Sequence, residues 1–142
     1  MSRDAEQVNR RLLRARDTMD RHYAEPLDVA SIAAVAFMSK AHFIREFRRV
    51  FGETPHRYLQ RRRVERAMFL LRTTDAPIVE ICFAVGFTSV GTFGRTFSGV
   101  VGSSPSRYRA AADGAIEPNS GSFIMRWGRP STFGEAPRGP DS

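Results

Sequence analysis

The 142-residue sequence has few of the residues that build disulfides, metal sites and membrane spans. Its single cysteine, Cys82, cannot form an intramolecular disulfide or a cysteine-based zinc site and fits a reducing cytoplasm. The three histidines, His22, His42 and His56, are spaced too widely for a helical metal pair. No run approaches ~18 apolar residues, and the N-terminus lacks the apolar core of a signal peptide. We therefore expect a soluble cytoplasmic protein without metal or cofactor.

Catalytic motifs are also missing, whereas basic residues are abundant. The sequence contains no nucleophile elbow, phosphate loop or metal cluster, so we expect no enzyme. It has 22 lysines and arginines against 15 acidic residues, which gives a net charge of +7. This charge makes an acidic partner such as nucleic acid a leading hypothesis, with improved solubility as the alternative. Lys40 is the only lysine, a bias that fits a G+C-rich genome better than a binding code.

The positive charge is concentrated in one segment of the chain. Residues 39–72 hold ten basic and three acidic residues, whereas residues 1–38 hold six of each. Residues 73–112 hold three basic and two acidic residues, and residues 113–142 hold three and four. A general solubility effect would not need this concentration, so the basic segment predicts a localised anion-binding surface.

Apolar residues recur at helical spacing up to about residue 112, and capping residues separate the periodic stretches. The predicted helices are a first one with a stripe from Val8 to Tyr23, a second from Val29 to Ala36 capped by Asp28, a third from Lys40 to Phe51 between Ser39 and Gly52, and a fourth from Pro55 to about Arg72. No segment before the tail alternates like a strand. The fold class is predicted as all-α with about seven helices.

An internal repeat is the most specific signal in the sequence. Residues 39–58 and 89–108 share nine identities in twenty positions, whereas chance gives roughly one or two. Upstream the offset falls from 50 to 49 residues, which pairs Ile32 with Ile81 and places the difference in the turn between two helices. Each copy has the pattern of a helix-turn-helix, over about residues 28–51 and 77–101. The domain is expected to span residues 8–112.

The helix predicted over residues 55–72 would join the two helix-turn-helix units. At 1.5 Å per residue it is roughly 27 Å long, close to the ~34 Å that separates successive major grooves on one face of DNA. The duplication therefore predicts one chain, monomeric on DNA, that reads two adjacent major grooves.

The second unit carries the spacing of a known family. The matching residues are Ile81, Gly86, Phe87, Ser89, Phe93, Arg95, Phe97, Gly102, Pro105, Tyr108 and Arg109. In this pattern the chain resembles the DNA-binding domain of AraC-family bacterial transcription regulators. The resemblance implies promoter DNA as the partner, RNA polymerase as a further candidate partner, activation of transcription as the usual outcome, and a place in the bacterial cytoplasm at the nucleoid.

Helical geometry and the resemblance together give candidate DNA contacts. With Phe43 and Phe47 toward the core, Arg45 and Arg48 point away from it, as Arg95 does in the second copy. The family's base-reading positions correspond to Ala41, Ile44, Arg45, Val90, Gly91, Gly94 and Arg95. We expect phosphate contacts from Ser39, Lys40, Arg48, Arg49, Arg61, Arg62, Ser89 and Ser98.

Some of these positions leave a second interpretation open. Arg61, Arg62 and Arg63 span nearly 300° of a helix, so a solvated helix face is the alternative to phosphate contact. Glycine costs about 1 kcal/mol relative to alanine in a helix interior, so Gly91 and Gly94 indicate either a close approach of the backbone or weak demand on this helix. We favour weak direct readout by the second unit. A helical adaptor that binds protein, with DNA contact secondary, is the alternative function.

Beyond Ala112 the composition changes to Gly, Pro and Ser, which is typical of a flexible extension. Within it Phe123, Ile124, Met125 and Trp127 form an apolar cluster around Arg126 that could dock on the helical domain or on a partner. Few residues precede the first helix, so we expect no ligand-sensing domain in this chain. Either it acts alone, or it is the DNA-binding fragment of a larger regulator.

Overall fold

The computed structural model describes residues 2–114, which form seven helices and no strand. The helices are α1 (Arg3–Arg21), α2 (Val29–Val35), α3 (Lys40–Phe51), α4 (Pro55–Thr73), α5 (Ile78–Ala84), α6 (Val90–Val101) and α7 (Pro105–Gly114). This confirms the predicted all-α class. The chain divides into two compact units between Arg62 and Arg63, inside α4. The apolar cluster predicted at residues 123–127 lies outside the described residues.

Side-chain oxygens cap the N-termini of α3 and α6. The Oγ of Ser39 accepts from the backbone N–H of His42 at 3.2 Å, and the Oγ of Ser89 accepts from that of Thr92 at 3.0 Å. Each cap satisfies one backbone donor that the first turn of a helix leaves without a partner. At the other end, α3 and α6 stop at glycines with positive φ, Gly52 at 83° and Gly102 at 96°. The repeated sequence thus sets both ends of α3 and α6.

The first unit, residues 2–62, buries one face of α3 beneath α1 and α2. Phe43 and Phe47 are fully buried, with Leu12, Met19 and Ile32 in the same cluster. The rings of Phe43 and Phe47 lie 5.5 Å apart and meet edge to face. Burying one such ring contributes about 1.5–3 kcal/mol, so these two phenylalanines fix which side of α3 turns outward.

The second unit, residues 63–114, repeats this aromatic arrangement on its own core. Phe93 and Phe97 are fully buried with ring centroids 5.7 Å apart, and Phe97 contacts Tyr108 edge to face, also at 5.7 Å. In the first unit the corresponding contact joins Phe47 to Tyr58 at 5.7 Å. The internal sequence repeat is therefore a structural repeat, in which the same aromatic triad anchors each outward helix.

The turns inside the two units use the same hydrogen bonds with different residues. Phe37 donates its N–H to the carbonyl of Ala34, and Met38 donates to that of Ala33. Gly86 and Phe87 make the equivalent bonds in the second unit. This pattern needs a left-handed residue after the helix, usually glycine. Gly86 has φ 106°, whereas Phe37 takes φ 57° although it has a side chain.

Arg109 closes the end of α4 in the second unit. Its guanidinium donates to the backbone carbonyls of Leu71, Thr74 and Ala76 at 3.2, 3.0 and 2.8 Å. Carbonyls at the end of a helix lack intrahelical partners, so a guanidinium with several donors is well suited to this place. Arg109 therefore acts within the fold and not at its surface.

Candidate nucleic-acid interface

Helix α3 turns a basic face to solvent. Because Phe43 and Phe47 are buried, the opposite side of the helix carries Ala41, Arg45 and Arg48, all of which are exposed. Ile44 is half-buried, in keeping with its lateral position. The predicted orientation of α3 is thus the observed one, and it presents two arginines to solvent.

The cations of α3 differ in how far they are engaged inside the protein. Within residues 2–114, no hydrogen bond or ion pair holds the side chain of Lys40, Arg45 or Arg48. Arg49 is paired with Glu46 on the same helix, with its Nε 2.8 Å from Oε1. An exposed pair of this kind contributes about 0.2–1 kcal/mol and can exchange partners. Arg45 and Arg48 are therefore the side chains best prepared to meet an anion.

Helix α6 presents a much smaller set of polar groups. Val90, Gly91 and Arg95 are exposed, and Gly94 and Ser98 are half-buried. The Nη2 of Arg95 lies 3.4 Å from the Oγ1 of Thr92, at the edge of hydrogen-bonding distance. Arg95 is the one long cationic side chain on this helix, whereas the outward side of α3 carries both Arg45 and Arg48.

The glycines of α6 are not required by crowding inside the unit. A Cβ built at Gly94 or Gly99 has no neighbour within 4 Å, and one at Gly91 comes 3.4 Å from Nη1 of Arg95. None of these three has a positive φ. The fold would therefore accept alanine at Gly94, and the reason for glycine lies outside the described unit or in weak demand on the helix.

Of the three serines predicted to contact phosphates, Ser39 and Ser89 cap helices and differ in how their hydroxyl groups are used. Both accept a backbone N–H as helix caps. The hydroxyl of Ser89 also donates to the Oγ1 of Thr92 at 3.1 Å, so its donor is used inside the protein. Ser39 retains its hydroxyl proton for an outside acceptor, which makes it the better candidate of the two.

Two arginines predicted as phosphate contacts lie in ion pairs. The Nε of Arg61 is 3.0 Å from Oε2 of Glu53, and the Nε of Arg62 is 3.0 Å from Oδ1 of Asp20. Between 20% and 34% of the surface of each of these four side chains is exposed. Asp20 also accepts from the hydroxyl of Tyr58 at 2.6 Å, and burial together with this bond raises the pKa of Tyr58. The ion pairs favour a structural role for both arginines. Their contact with phosphates stays a prediction.

A pair of exposed arginines was missed among the sequence candidates. Arg57 and Arg107 occupy the same place in the two units, in the first turn of the helix that follows α3 or α6. Their identity in the internal repeat, at Arg57 and Arg107, is the sequence signal that points to them. Both extend the basic surface of their own unit.

The described residues contain neither a reactive cysteine nor a cluster of metal ligands. Cys82 is fully buried with its Sγ 3.6 Å from the carbonyl of Ser89, and burial raises the pKa of its thiol. A thiol kept protonated in this way is a poor nucleophile. Across residues 2–114 no three His, Cys, Asp or Glu side chains gather where they could hold a metal ion. Over the same range no helix is long and apolar enough to cross a bilayer.

Two helix pairs, α2 with α3 and α5 with α6, each turn basic side chains outward, and this arrangement defines a DNA-binding protein of the helix-turn-helix class. Similarity to known proteins supports the same class. The helix-turn-helix domain family matches residues 32–111. The regulatory protein SoxS of Escherichia coli is 36% identical over 91 residues, which are 64% of this chain and 85% of SoxS. The DNA-binding domain of AdpA, solved with a target DNA, is 36% identical with a TM-score of 0.70, covering 75% of this chain and 96% of that domain.

The chain belongs to the AraC-type helix-turn-helix family of DNA-binding transcription regulators. Other relatives are longer. A probable transcriptional regulator of Photobacterium leiognathi, LumQ, is 31% identical over 91 residues, 64% of this chain, and the match spans 37% of its length.

Proposed function

We propose that this regulator reads two adjacent major grooves of promoter DNA as a monomer, with α3 and α6 as its recognition helices. The observation that carries the proposal is the repeated exposed arginine, Arg45 on α3 and Arg95 on α6, each opposite a buried pair of phenylalanines on its own helix. An arginine in the major groove can donate two hydrogen bonds to one guanine. The small neighbours Ala41 and Gly91 give that arginine room to approach a base edge.

Bases are read by Arg45 and Arg95, with apolar contacts from Ala41, Ile44 and Val90 and with Gly91 and Gly94 near the DNA backbone. Phosphates are held chiefly by Lys40, Arg48 and Ser39, with Arg49 available once it leaves Glu46. Ser89 and Ser98 are secondary candidates on α6. The exposure of Lys40, Arg45, Arg48 and Arg95 supports their role as DNA contacts, and the family's base-reading positions give the division between bases and phosphates.

The regulatory outcome that the family resemblance favours is activation through contact with RNA polymerase, in the bacterial cytoplasm at the nucleoid. A transcription reaction with purified polymerase and a promoter that carries the bound site tests this. More transcript with the protein than without it supports activation, and less transcript makes the protein a repressor.

The base-reading role of Arg45 is tested by a matched pair of variants in gel-shift titrations. Arg45→Ala is expected to cost about 1–3 kcal/mol on the specific site and to relax the preference at one base pair. Arg48→Ala is expected to weaken specific and scrambled DNA alike and to flatten the salt dependence by about one phosphate. Equal losses for both variants on both DNAs would contradict the assignment.

A helical adaptor is the second candidate, favoured by the exposed Val90 and the few polar side chains of α6. Footprinting separates the two functions. Protection of two adjacent grooves supports the two-groove reader, whereas protection of one groove or none supports the adaptor.

A further inference from the structure

The first helices of the two helix-turn-helix motifs, α2 and α5, carry different residues at equivalent exposed positions. With the offset of 49 residues, Ala30 and Ala34 on α2 correspond to Val79 and Phe83 on α5. All four are exposed, and Val79 and Phe83 leave 45% and 52% of their surface in solvent. The first unit shows that alanine is sufficient at these places, so the fold does not require the larger side chains of the second.

Four residues of α5 are exposed, and three of them, Val79, Glu80 and Phe83, lie side by side on what we call the α5 face; the fourth is Ala84 at the end of the helix. Residues four apart on a helix are neighbours, and Glu80 lies beside them. The opposite side of α5 is used by the core, where Ile81 and Cys82 are buried. Glu80 has no hydrogen bond or ion pair of its side chain within residues 2–114. The α5 face therefore offers two apolar side chains and one carboxylate without a partner.

A segment of this same chain has the complementary chemistry. The sequence continues for 28 residues after α7, the last helix of the second unit. Residues 123–127 read Phe, Ile, Met, Arg, Trp, which is four apolar side chains with one cation. The eight residues between Gly114 and Phe123 can span up to about 30 Å, which is about the diameter of a small domain. The cation of Arg126 is complementary in charge to the carboxylate of Glu80, which has no partner within residues 2–114.

We propose that residues 123–127 dock on the α5 face, with the apolar side chains against Val79 and Phe83 and with Arg126 beside Glu80. Covering half-exposed valine and phenylalanine gives such a contact its free energy, and the ion pair sets its orientation. The contact is an intramolecular one, so its strength is independent of protein concentration. It does not depend on the proposed reading of DNA.

Trp127 is the only tryptophan of the chain, so its fluorescence reports directly on the docking segment. In the full chain we expect emission at shorter wavelength and weaker quenching by acrylamide than in the same protein unfolded in urea. The variant Val79→Ala with Phe83→Ala gives α5 the residues that α2 already has. It is expected to lower the docking equilibrium constant about tenfold and to move both readouts toward their unfolded values.

Leu13→Ala is the matched control, because Leu13 is 46% exposed on α1 in the first unit. It is expected to leave Trp127 fluorescence unchanged. Far-ultraviolet circular dichroism of each variant ensures that only folded proteins are compared. Trp127 fluorescence that is solvent-like in the unaltered chain, or that is the same in the α5 variant, overturns the proposal.

A charge exchange tests the orientation of the contact. Glu80→Arg is expected to weaken docking about threefold, and adding Arg126→Glu in the same chain is expected to restore it. Fluorescence that changes with protein concentration would assign the contact to a second copy and overturn the intramolecular proposal. The pairing of Arg126 with Glu80 would be overturned if Glu80→Arg and Arg126→Glu each left docking unchanged and the double variant showed no rescue.

Discussion

Phe37 carries a large side chain although its backbone conformation is one that favours glycine. It holds φ 57° in the turn before α3, and 73% of its surface is exposed. A left-handed conformation costs a residue with a Cβ roughly 1–2 kcal/mol, whereas Gly86 adopts it in the second unit without that cost. The cation of Arg11 lies 5.9 Å from the Phe37 ring, a contact that contributes little at an exposed site.

We therefore expect Phe37→Gly to raise the free energy of unfolding by about 0.5–1 kcal/mol, since relief of strain exceeds the added freedom of the unfolded chain. Urea denaturation followed by circular dichroism measures this. The control is Gly86→Ala, which places a Cβ at φ 106° and is expected to destabilise the protein. A less stable Phe37→Gly protein would mean that the contact with Arg11 outweighs the strain.

The arginines of α4 show what the sequence could not predict at this scale. Their helical positions indicated a scattered basic face, but Arg62 pairs with Asp20, 42 residues away, and Arg61 pairs with Glu53. The pair of Arg62 with Asp20 depends on how α1 packs against α4, and the pair of Arg61 with Glu53 depends on the turn that enters α4. No local pattern contains that information, whereas the exposure of Arg45 follows from the helical period alone.

At the scale of single helices, the sequence was informative wherever caps and periodicity acted together. Ser39 and Gly52 bound α3 as predicted, because a hydroxyl cap and a left-handed glycine are local requirements. The repeat then assigned the same ends to α6. The contrast between α2 and α5 was not predicted, since exposed alanine and exposed phenylalanine are both compatible with a short helix.

Helix α6 has glycines that its own unit does not require, and Gly94 allows a test of why they are there. Gly94→Ala is expected to stabilise the protein by about 0.5–1 kcal/mol, because no atom lies within 4 Å of the added Cβ. If the second unit reads DNA weakly, affinity for the specific site stays within about twofold. Denaturation and gel-shift titration measure the two quantities.

Gly99→Ala is the control for Gly94→Ala, since Gly99 lies on the same helix and also has open space around its Cβ. Both variants are expected to gain similar stability. A loss of about tenfold in affinity for Gly94→Ala alone would show that the α6 backbone approaches DNA closely, which is the other explanation for the glycine.

For the whole molecule, the distribution of charge separates the tasks of the two units. The first unit, residues 2–62, holds thirteen basic and eight acidic residues, a net charge of +5, whereas residues 63–114 of the second hold six basic and four acidic residues, a net charge of +2. Phosphate contacts dominate affinity for DNA and make it depend on salt. The first unit should therefore supply most of the affinity, and the second should mainly fix the register on the site.

This division predicts unequal half-sites in the bound DNA. Scrambling the half-site read by α3 is expected to cost about 3 kcal/mol, and scrambling the one read by α6 about 1 kcal/mol, because several polar side chains act in the first groove and Arg95 alone in the second. Arg95→Ala should accordingly lose less affinity than Arg45→Ala. Gel-shift titrations at a fixed salt concentration measure all four values. Equal costs for the two half-sites would contradict this division and would mean that the less basic second unit contributes as much to affinity as the first.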